Sequence, residues 1–411
     1  MRPYVILGNG VAAAHCIEGI RSVDKETPVT VVSAEPHPVY CRPLISYYLE
    51  GRADPARMHY RPAEFYEKNG CTVLYGKTAA GIDPEKKAVQ LDDGSLLPYA
   101  ALCVATGSAP FVPPIDGLGG VRQKFTFLTL DDAVALKQAA TKQSRVLIVG
   151  AGLIGLKCAE GLRPLVGEIT VCDLADRVLS SILDHDCAAR MQARLEQNGV
   201  RFLLSDTAVR FEQNSAVMKS GKTVAFDLLV MAVGVRANAA LVRDCGGKTD
   251  RGILIDNHMR TSLPAVFAAG DCAQGLDASC GQPRVLAILP NAALQGFCAG
   301  VNMAGGDRTL DNAIPMNAVG FFGLHALSAG SGCGGEVYEE CDERHLKRLY
   351  IKDGRLTGFM LIGETARAGI YTALIRDRTP LESLDFEWLK RTPTTTAFPA
   401  QARREKFGGA V

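Results

Sequence analysis

The sequence has almost no surplus charge of either sign. Its 45 Lys and Arg against 44 Asp and Glu leave a formal net charge of +1 over 411 residues. A protein that grips nucleic acid through a bulk positive field needs a basic excess, so that class is not expected. No run of 18 apolar residues occurs, so no membrane-spanning helix is expected. The chain opens MRPYVILGNG and passes straight into an apolar strand and a glycine turn, with no pattern of a secretory leader. The 13 cysteines are scattered, and no two are closer than eight residues. That excludes a local dithiol or a metal-ligand spacing and suits reduced thiols in a cytoplasm. None of the 7 histidines forms an evident pair with a ligand or nucleophile, and no metal is expected. What is abundant is glycine, 42 residues, which permits sharp turns and close approach of backbone to ligand. An apolar share of 47% in a chain of this length is that of an ordinary globular protein of two or three domains.

Two segments repeat one design. Residues 4–14 read YVILGNGVAAA and residues 146–156 read VLIVGAGLIGL. Each is a continuous apolar strand, a glycine-rich turn and a small-residue helix start. Strands without polar alternation belong in a parallel sheet covered on both faces. A second strand follows each unit, PVTVVSAE at 28–35 and EITVCDLAD at 168–176. Gly8, Gly10 and Ala13 fit G-x-G-x-x-A, and Gly150, Gly152 and Gly155 fit G-x-G-x-x-G. In such a turn the first glycine makes the bend, the second leaves room for a pyrophosphate, and the third position lets helix and strand pack. The anion then rests on a helix N-terminus. Each unit also ends its second strand on a carboxylate, Glu35 and Asp173, placed to accept hydrogen bonds from a ribose. The alternative for both is a solvated charge at a strand end. A carboxylate at 173 repels a 2′-phosphate, which favours NADH over NADPH, although Arg177 nearby weakens that preference.

Other elements follow more coarsely. ALCVATG (101–107), DLLVMAVG (227–234) and AVFAAGD (265–271) read as strands ending in glycine turns. The proline-rich stretch 108–117 reads as a crossing linker. From about residue 310 a hairpin with its turn at Asp353-Gly354 suggests a small α+β domain. The final 25 or so residues read as irregular.

The order of five motifs over residues 1–380 resembles the flavoprotein pyridine-nucleotide reductases of the disulfide-reductase superfamily. The motifs are GNGVAA, ATG at 105–107, GAGLIG, AVGVRAN around Gly234 and Asn238, and TSLPAVFAAGDCA at 261–273. YCRPLISYYLEG (40–51) and the segments 314–330 and 356–375 resemble the branch containing NADH:rubredoxin oxidoreductases and nitrite reductase flavin domains. The resemblance implies an α/β fold of two interleaved Rossmann-like dinucleotide-binding domains plus a small α+β C-terminal domain. An FAD-binding domain, residues 1–110 and 240–308, would be interrupted by an NADH-binding domain at 111–239. A C-terminal interface domain at 309–385, which serves some relatives as a dimer interface, and a tail at 386–411 would follow. FAD would lie on Gly8, Gly10, Ala12, Ala13, Glu35, Arg42, Ala79, Ala105, Thr106, Gly107, Asp271 and Ala292. NADH would lie on Gly150, Gly152, Leu153, Ile154, Asp173 and Gly234.

Departures from the family pattern matter for the chemistry. The C-x-x-x-x-C pair of disulfide-reducing members is absent. Cys41 stands where peroxidase and oxidase members carry a reactive cysteine, but Val11 replaces their histidine in the first turn. Cys41 is therefore either a thiolate stabilised by Arg42, acting in peroxide or CoA-disulfide chemistry, or a small packed residue beside the flavin, and the second is favoured. The flavin-proximal lysine and glutamate of the ferredoxin-reductase branch fall at Tyr47 and Lys157, and Lys157 would favour an anionic reduced flavin. Together these imply an NADH:acceptor oxidoreductase in which NADH reduces FAD and a rubredoxin or other small iron–sulfur carrier takes the electrons. The rivals are an NADH oxidase, peroxidase or CoA-disulfide reductase using Cys41, and the flavin subunit of a larger electron-transfer complex. Trp388 reads as an apolar anchor for the tail, with a partner contact as the alternative, and Lys390, Arg391, Arg403, Arg404 and Lys406 as a solvated cationic face, with steering of an acidic carrier as the alternative.

Overall fold

The computed structural model describes residues 2–332 and 335–407, with side chains through Glu405. Its contacts divide the chain into two compact units. The first comprises Met1–Ser180, Leu195–Leu276 and Pro283–Leu310, and the second Ser181–Arg194, Asp277–Gln282 and Asp311–Val411.

The first unit holds two five-stranded parallel sheets. One runs in the order Val266–Ala268, Leu102–Val104, Tyr4–Leu7, Val29–Ser33, Cys71–Tyr75. The other runs Val200–Leu204, Glu168–Asp173, Arg145–Val149, Leu228–Met231, Lys124–Phe125. Their central strands are buried along nearly their whole length, which is why the sequence shows no alternation there. The first sheet takes strands from both sides of the second in the chain, so one nucleotide fold is threaded through the other. The two crossings run side by side. Ser108–Pro110 pairs antiparallel with Val235–Ala237, giving the proline-rich linker a short strand. Asn238 ties the ATG turn to this crossing: its Nδ2 donates to Thr106 O at 2.8 Å and its backbone N to Gly107 O at 2.9 Å.

The helix Val11–Val23 is covered by Leu289–Met303 at very close range. A Cβ on Gly296 would lie 2.1 Å from Ala12 O, and one on Gly300 would lie 2.0 Å from Cys16 O. Only glycine lets these two backbones meet, and the seam seals the first sheet's inner face.

In the second unit a five-stranded antiparallel sheet, ordered Met316–Phe321, Leu324–Gly330, Arg355–Ile362, Leu346–Lys352, Glu336–Cys341, carries the helix Ala368–Arg376. The hairpin turns at Asp353 and Gly354, φ 52° and 66°, with Lys352 opposite Arg355. Two positive φ values in a two-residue turn match the right-handed twist of the strands it joins. The tail differs from its expected irregularity. It forms helices Phe386–Arg391 and Ala400–Phe407, the first capped by Asp385 accepting from Trp388 N at 3.0 Å. Trp388 is not the anchor: it is 53% exposed, while Leu389, Ala397 and Phe398 sink into the core. A capped two-turn helix has one inward stripe, and Leu389 occupies it.

Candidate functional site

Local geometry explains both glycine turns. Gly8 has φ 106° and Gly150 φ 116°, conformations disfavoured for other residues. A Cβ on Gly8 would meet Ala105 O at 2.2 Å, and one on Gly150 would meet Ala232 O at 2.2 Å. The second glycines are different. Nothing lies within 4 Å of a Cβ built on Gly10 or Gly152, so each faces open space at a helix start that no side chain caps. First-turn N–H groups without acceptors in front of open space form a seat for a diphosphate. The third positions diverge. Gly155 is required, because a Cβ would lie 2.0 Å from Gly150 O, whereas Ala13 packs its methyl into the core.

The first cradle opens into a cavity of about 200 Å³. Gly8, Gly10 and Ala12 form one wall, and Ala105, Thr106 and Gly107 another. Glu35, Arg42, Asp271 and Ala292 complete it. Two expected contacts lie elsewhere. Ala13 faces the core, and Ala79 begins a strand of a separate small antiparallel sheet.

Glu35 does not stand as a lone carboxylate awaiting a ribose. One oxygen accepts from Tyr40 Oη at 2.6 Å and the other from Arg42 Nη2 at 2.6 Å. Arg42 also donates to Leu128 O at 3.1 Å, and Leu130 N donates to Tyr40 Oη at 3.0 Å. His37 and Asp131 meet at 2.8 Å, so three residues of the first fold hold segment 128–131 across the groove. Burial raises the Tyr40 hydroxyl's pKa and keeps it a neutral donor. Burial likewise raises Asp271, with the Arg42 charge and a hydrogen bond from Ser108 opposing it. Asn9, inside the first turn, is held from outside. Its Oδ1 accepts from Tyr66 Oη at 2.7 Å and its Nδ2 donates to His37 O at 3.3 Å. Sequence reading missed Tyr40, Asn9 and Tyr66; the only signal was that Tyr40 and Asn9 adjoin motif residues.

At the second cradle Asp173 serves the turn itself. Its carboxylate accepts from Ala151 N at 2.6 Å and Ala175 N at 2.8 Å, which fixes its orientation at the strand end. Arg177 is drawn aside, donating to Asp176 at 2.8 Å. Leu153 is exposed, Ile154 half-buried, and Gly234 exposed with φ 114°.

Lys157 donates to Glu160 Oε2 at 2.6 Å, one turn along the same helix, and its Nζ lies 5.8 Å from the Tyr47 ring centre. The expectation that Lys157 favours an anionic reduced flavin is tempered by the buried Glu160, whose carboxylate offsets its charge. The Arg42–Cys41 thiolate pairing is also corrected. Arg42 is engaged with Glu35 and Leu128, Cys41 is not among the cavity's lining residues, and burial raises the Cys41 thiol's pKa. Tertiary structure does bring together two thiols distant in sequence, Cys16 and Cys103. Both are fully buried; Cys16 Sγ donates to Met303 Sδ at 3.6 Å, and the hydrogen bond that the Cys103 thiol donates to Cys16, together with burial, holds Cys103 far above the ordinary thiol range. In the tail, Lys390 pairs with Glu387 at 2.6 Å, and the Lys406 side chain lies outside the described residues.

Residues 2–296 match the family described as pyridine nucleotide-disulphide oxidoreductase. The chain belongs to that family. It is an NAD(P)H-dependent flavoprotein oxidoreductase whose cofactors are FAD and NADH, and the two glycine cradles fit two dinucleotides. The NADH-dependent phenylglyoxylate dehydrogenase subunit epsilon of Aromatoleum evansii is 34% identical over 395 residues, covering 93% of each chain. The assimilatory nitrate reductase electron transfer subunit of Bacillus subtilis (strain 168) is 32% identical over 372 residues, 88% of this chain; the oxidoreductase spans only 47% of that relative. Among solved structures, the covalent putidaredoxin reductase–putidaredoxin complex superposes with a TM-score of 0.88 over 96% of this chain and 97% of that one, at 23% identity. At that identity the likeness shows the fold. Among the described residues, no helix is long and apolar enough to cross a membrane.

Proposed function

We propose that this oxidoreductase draws electrons from NADH and delivers them to an iron–sulfur protein, either a small carrier such as rubredoxin or the iron–sulfur subunit of a complex to which it belongs. One observation carries the reading: the Cys41 thiol lies outside the first cradle's lining and burial raises its pKa, while Cys16 and Cys103 are sealed in the core. FAD, when bound, supplies both acceptance of a hydride and release of single electrons. The chain's own residues position and shield. Gly8, Gly10 and the first helix seat one diphosphate, and Gly150, Gly152 and Asp173 seat the other. Holding two rings in register contributes up to about 10 kcal/mol, and no acid or base on the protein is required. Two relatives' names, a dehydrogenase subunit and an electron transfer subunit, support the subunit form. The cysteine-rich, disulfide-free described chain suits the cytoplasm.

Anaerobic mixing with NADH is the test. The flavin absorbance bleaches and then recovers on addition of an oxidised rubredoxin or ferredoxin. Cys41→Ser retains carrier turnover within about twofold, as expected where no transition-state contact is lost. A flavin that NADH leaves oxidised removes the proposal, and loss of turnover in the serine variant moves the chemistry to Cys41.

A further inference from the structure

We propose that the C-terminal unit carries a ligand site of its own, for a small organic anion with an apolar body. A cavity of about 710 Å³ opens there, a volume typical of small-molecule sites, and the redox chemistry above makes no use of it. Leu346, Leu361 and Tyr371 lie at its back, each at most 3% exposed, and Ala366 and Pro393 supply its more accessible apolar atoms. Tyr371 keeps its ring there because its hydroxyl is spent on Leu389 O at 3.1 Å.

The charged groups around this surface balance in number, Glu340, Asp342 and Glu364 against Lys347, Arg367 and Arg391, but differ in how they are engaged. Glu340 is paired with Lys347 at 2.5 Å. Asp342 is turned back onto Arg344 N and His345 N at 2.7 and 2.8 Å, and these bonds hold its pKa down to about 2. Glu364 accepts from Ala366 N at 2.9 Å. Arg367 and Arg391 remain. Both line the cavity, and neither guanidinium makes a hydrogen bond or ion pair among the described residues. Arg367 also holds a left-handed φ of 61°, a conformation uncommon outside glycine that recurs where side-chain placement is functional. Two guanidinium forks beside an apolar recess suit a carboxylate or phosphate ester on a hydrophobic body.

Cys341 provides the readout, because it is exposed and lines the same cavity. FAD-loaded protein, saturated with NAD+ to block the second cradle, is alkylated with iodoacetamide while phenyl phosphate is titrated. Mass spectrometry follows Cys341, with the exposed Cys280 as internal control. Phenyl phosphate should slow Cys341 alkylation at least fivefold with saturation, leave Cys280 unchanged, and lose this effect in R367A/R391A. Absence of shielding overturns the site, as does equal shielding in the double variant. Equal shielding by inorganic phosphate overturns the apolar part of the assignment. Bleaching by NADH is measured on NAD+-free aliquots of the same two proteins and should be the same in both, so failure here and failure of the redox proposal are separately visible.

Discussion

The two glycine cradles share one backbone and differ in everything around it. Each first glycine bends at a positive φ against a carbonyl 2.2 Å from its missing Cβ, and each second glycine faces open space. The first cradle is enclosed by a long helix packed through glycine seams and by segment 128–131, which Tyr40, Arg42 and His37 hold. The second is open: Leu153 is 39% exposed and Leu174, beside Asp173, 63%. An enclosed seat suits a cofactor that stays, and an open one suits a coenzyme that must leave after each turnover. With FAD on the first cradle and NADH on the second, as we propose, the same local motif serves opposite residence times, set by what the tertiary structure lays over it.

The largest effect should come from crowding one cradle at a time. Gly8→Val adds a clash and a disfavoured φ, for a loss of about 3 kcal/mol or roughly 100-fold in FAD affinity, and should yield nearly colourless protein. Gly150→Val should leave the protein yellow but slow to bleach, with a comparable loss in NADH affinity by stopped flow. Should either variant lose both coenzymes together, the two sites are not independent. Asp173→Ala comes next. It removes the carboxylate that orders the second turn and should raise the NADH KM about tenfold while narrowing the gap to NADPH, with flavin content unchanged.

Tyr66→Phe deletes the hydroxyl that holds Asn9. One hydrogen bond is worth about 1 kcal/mol, so FAD affinity in fluorescence titrations of apoprotein should fall about fivefold, with NADH affinity unaltered. The smallest effect concerns Asp271. Burial raises its folded pKa above the unfolded value, so its contribution to stability is full at low pH and is lost as pH rises through the folded pKa. Asp271→Asn should raise the apoprotein Tm by at most about 3 °C at pH 7 and leave it unchanged at pH 4. A lower Tm at pH 7 would mean that Arg42 outweighs burial.

Legibility in the sequence followed the range of the interactions. Gly8, Gly10, Gly150 and Gly152 were readable because φ and Cβ clearance are fixed within a few residues of chain. The turn at Asp353-Gly354 was readable for the same reason. Trp388 was misread because exposure depends on which stripe of a short helix meets the core, and there Leu389 goes in. The Lys157 partner went unread because Glu160 belongs to no family motif, although the i,i+3 spacing was visible.

By itself the sequence determined that two phosphate-binding turns exist, that each opens a helix after a buried strand, and that no close cysteine pair accompanies them. These are matters of local sterics and spacing. Only the tertiary structure decided that Glu35 is shared by Tyr40 and Arg42, that Cys16 meets Cys103 in the core, and that one cradle is roofed while the other is open. The Glu35 cluster joins residues only five and seven positions apart but needs a particular loop path, and the other outcomes depend on contacts between residues tens to hundreds of positions apart, which no spacing along the chain encodes.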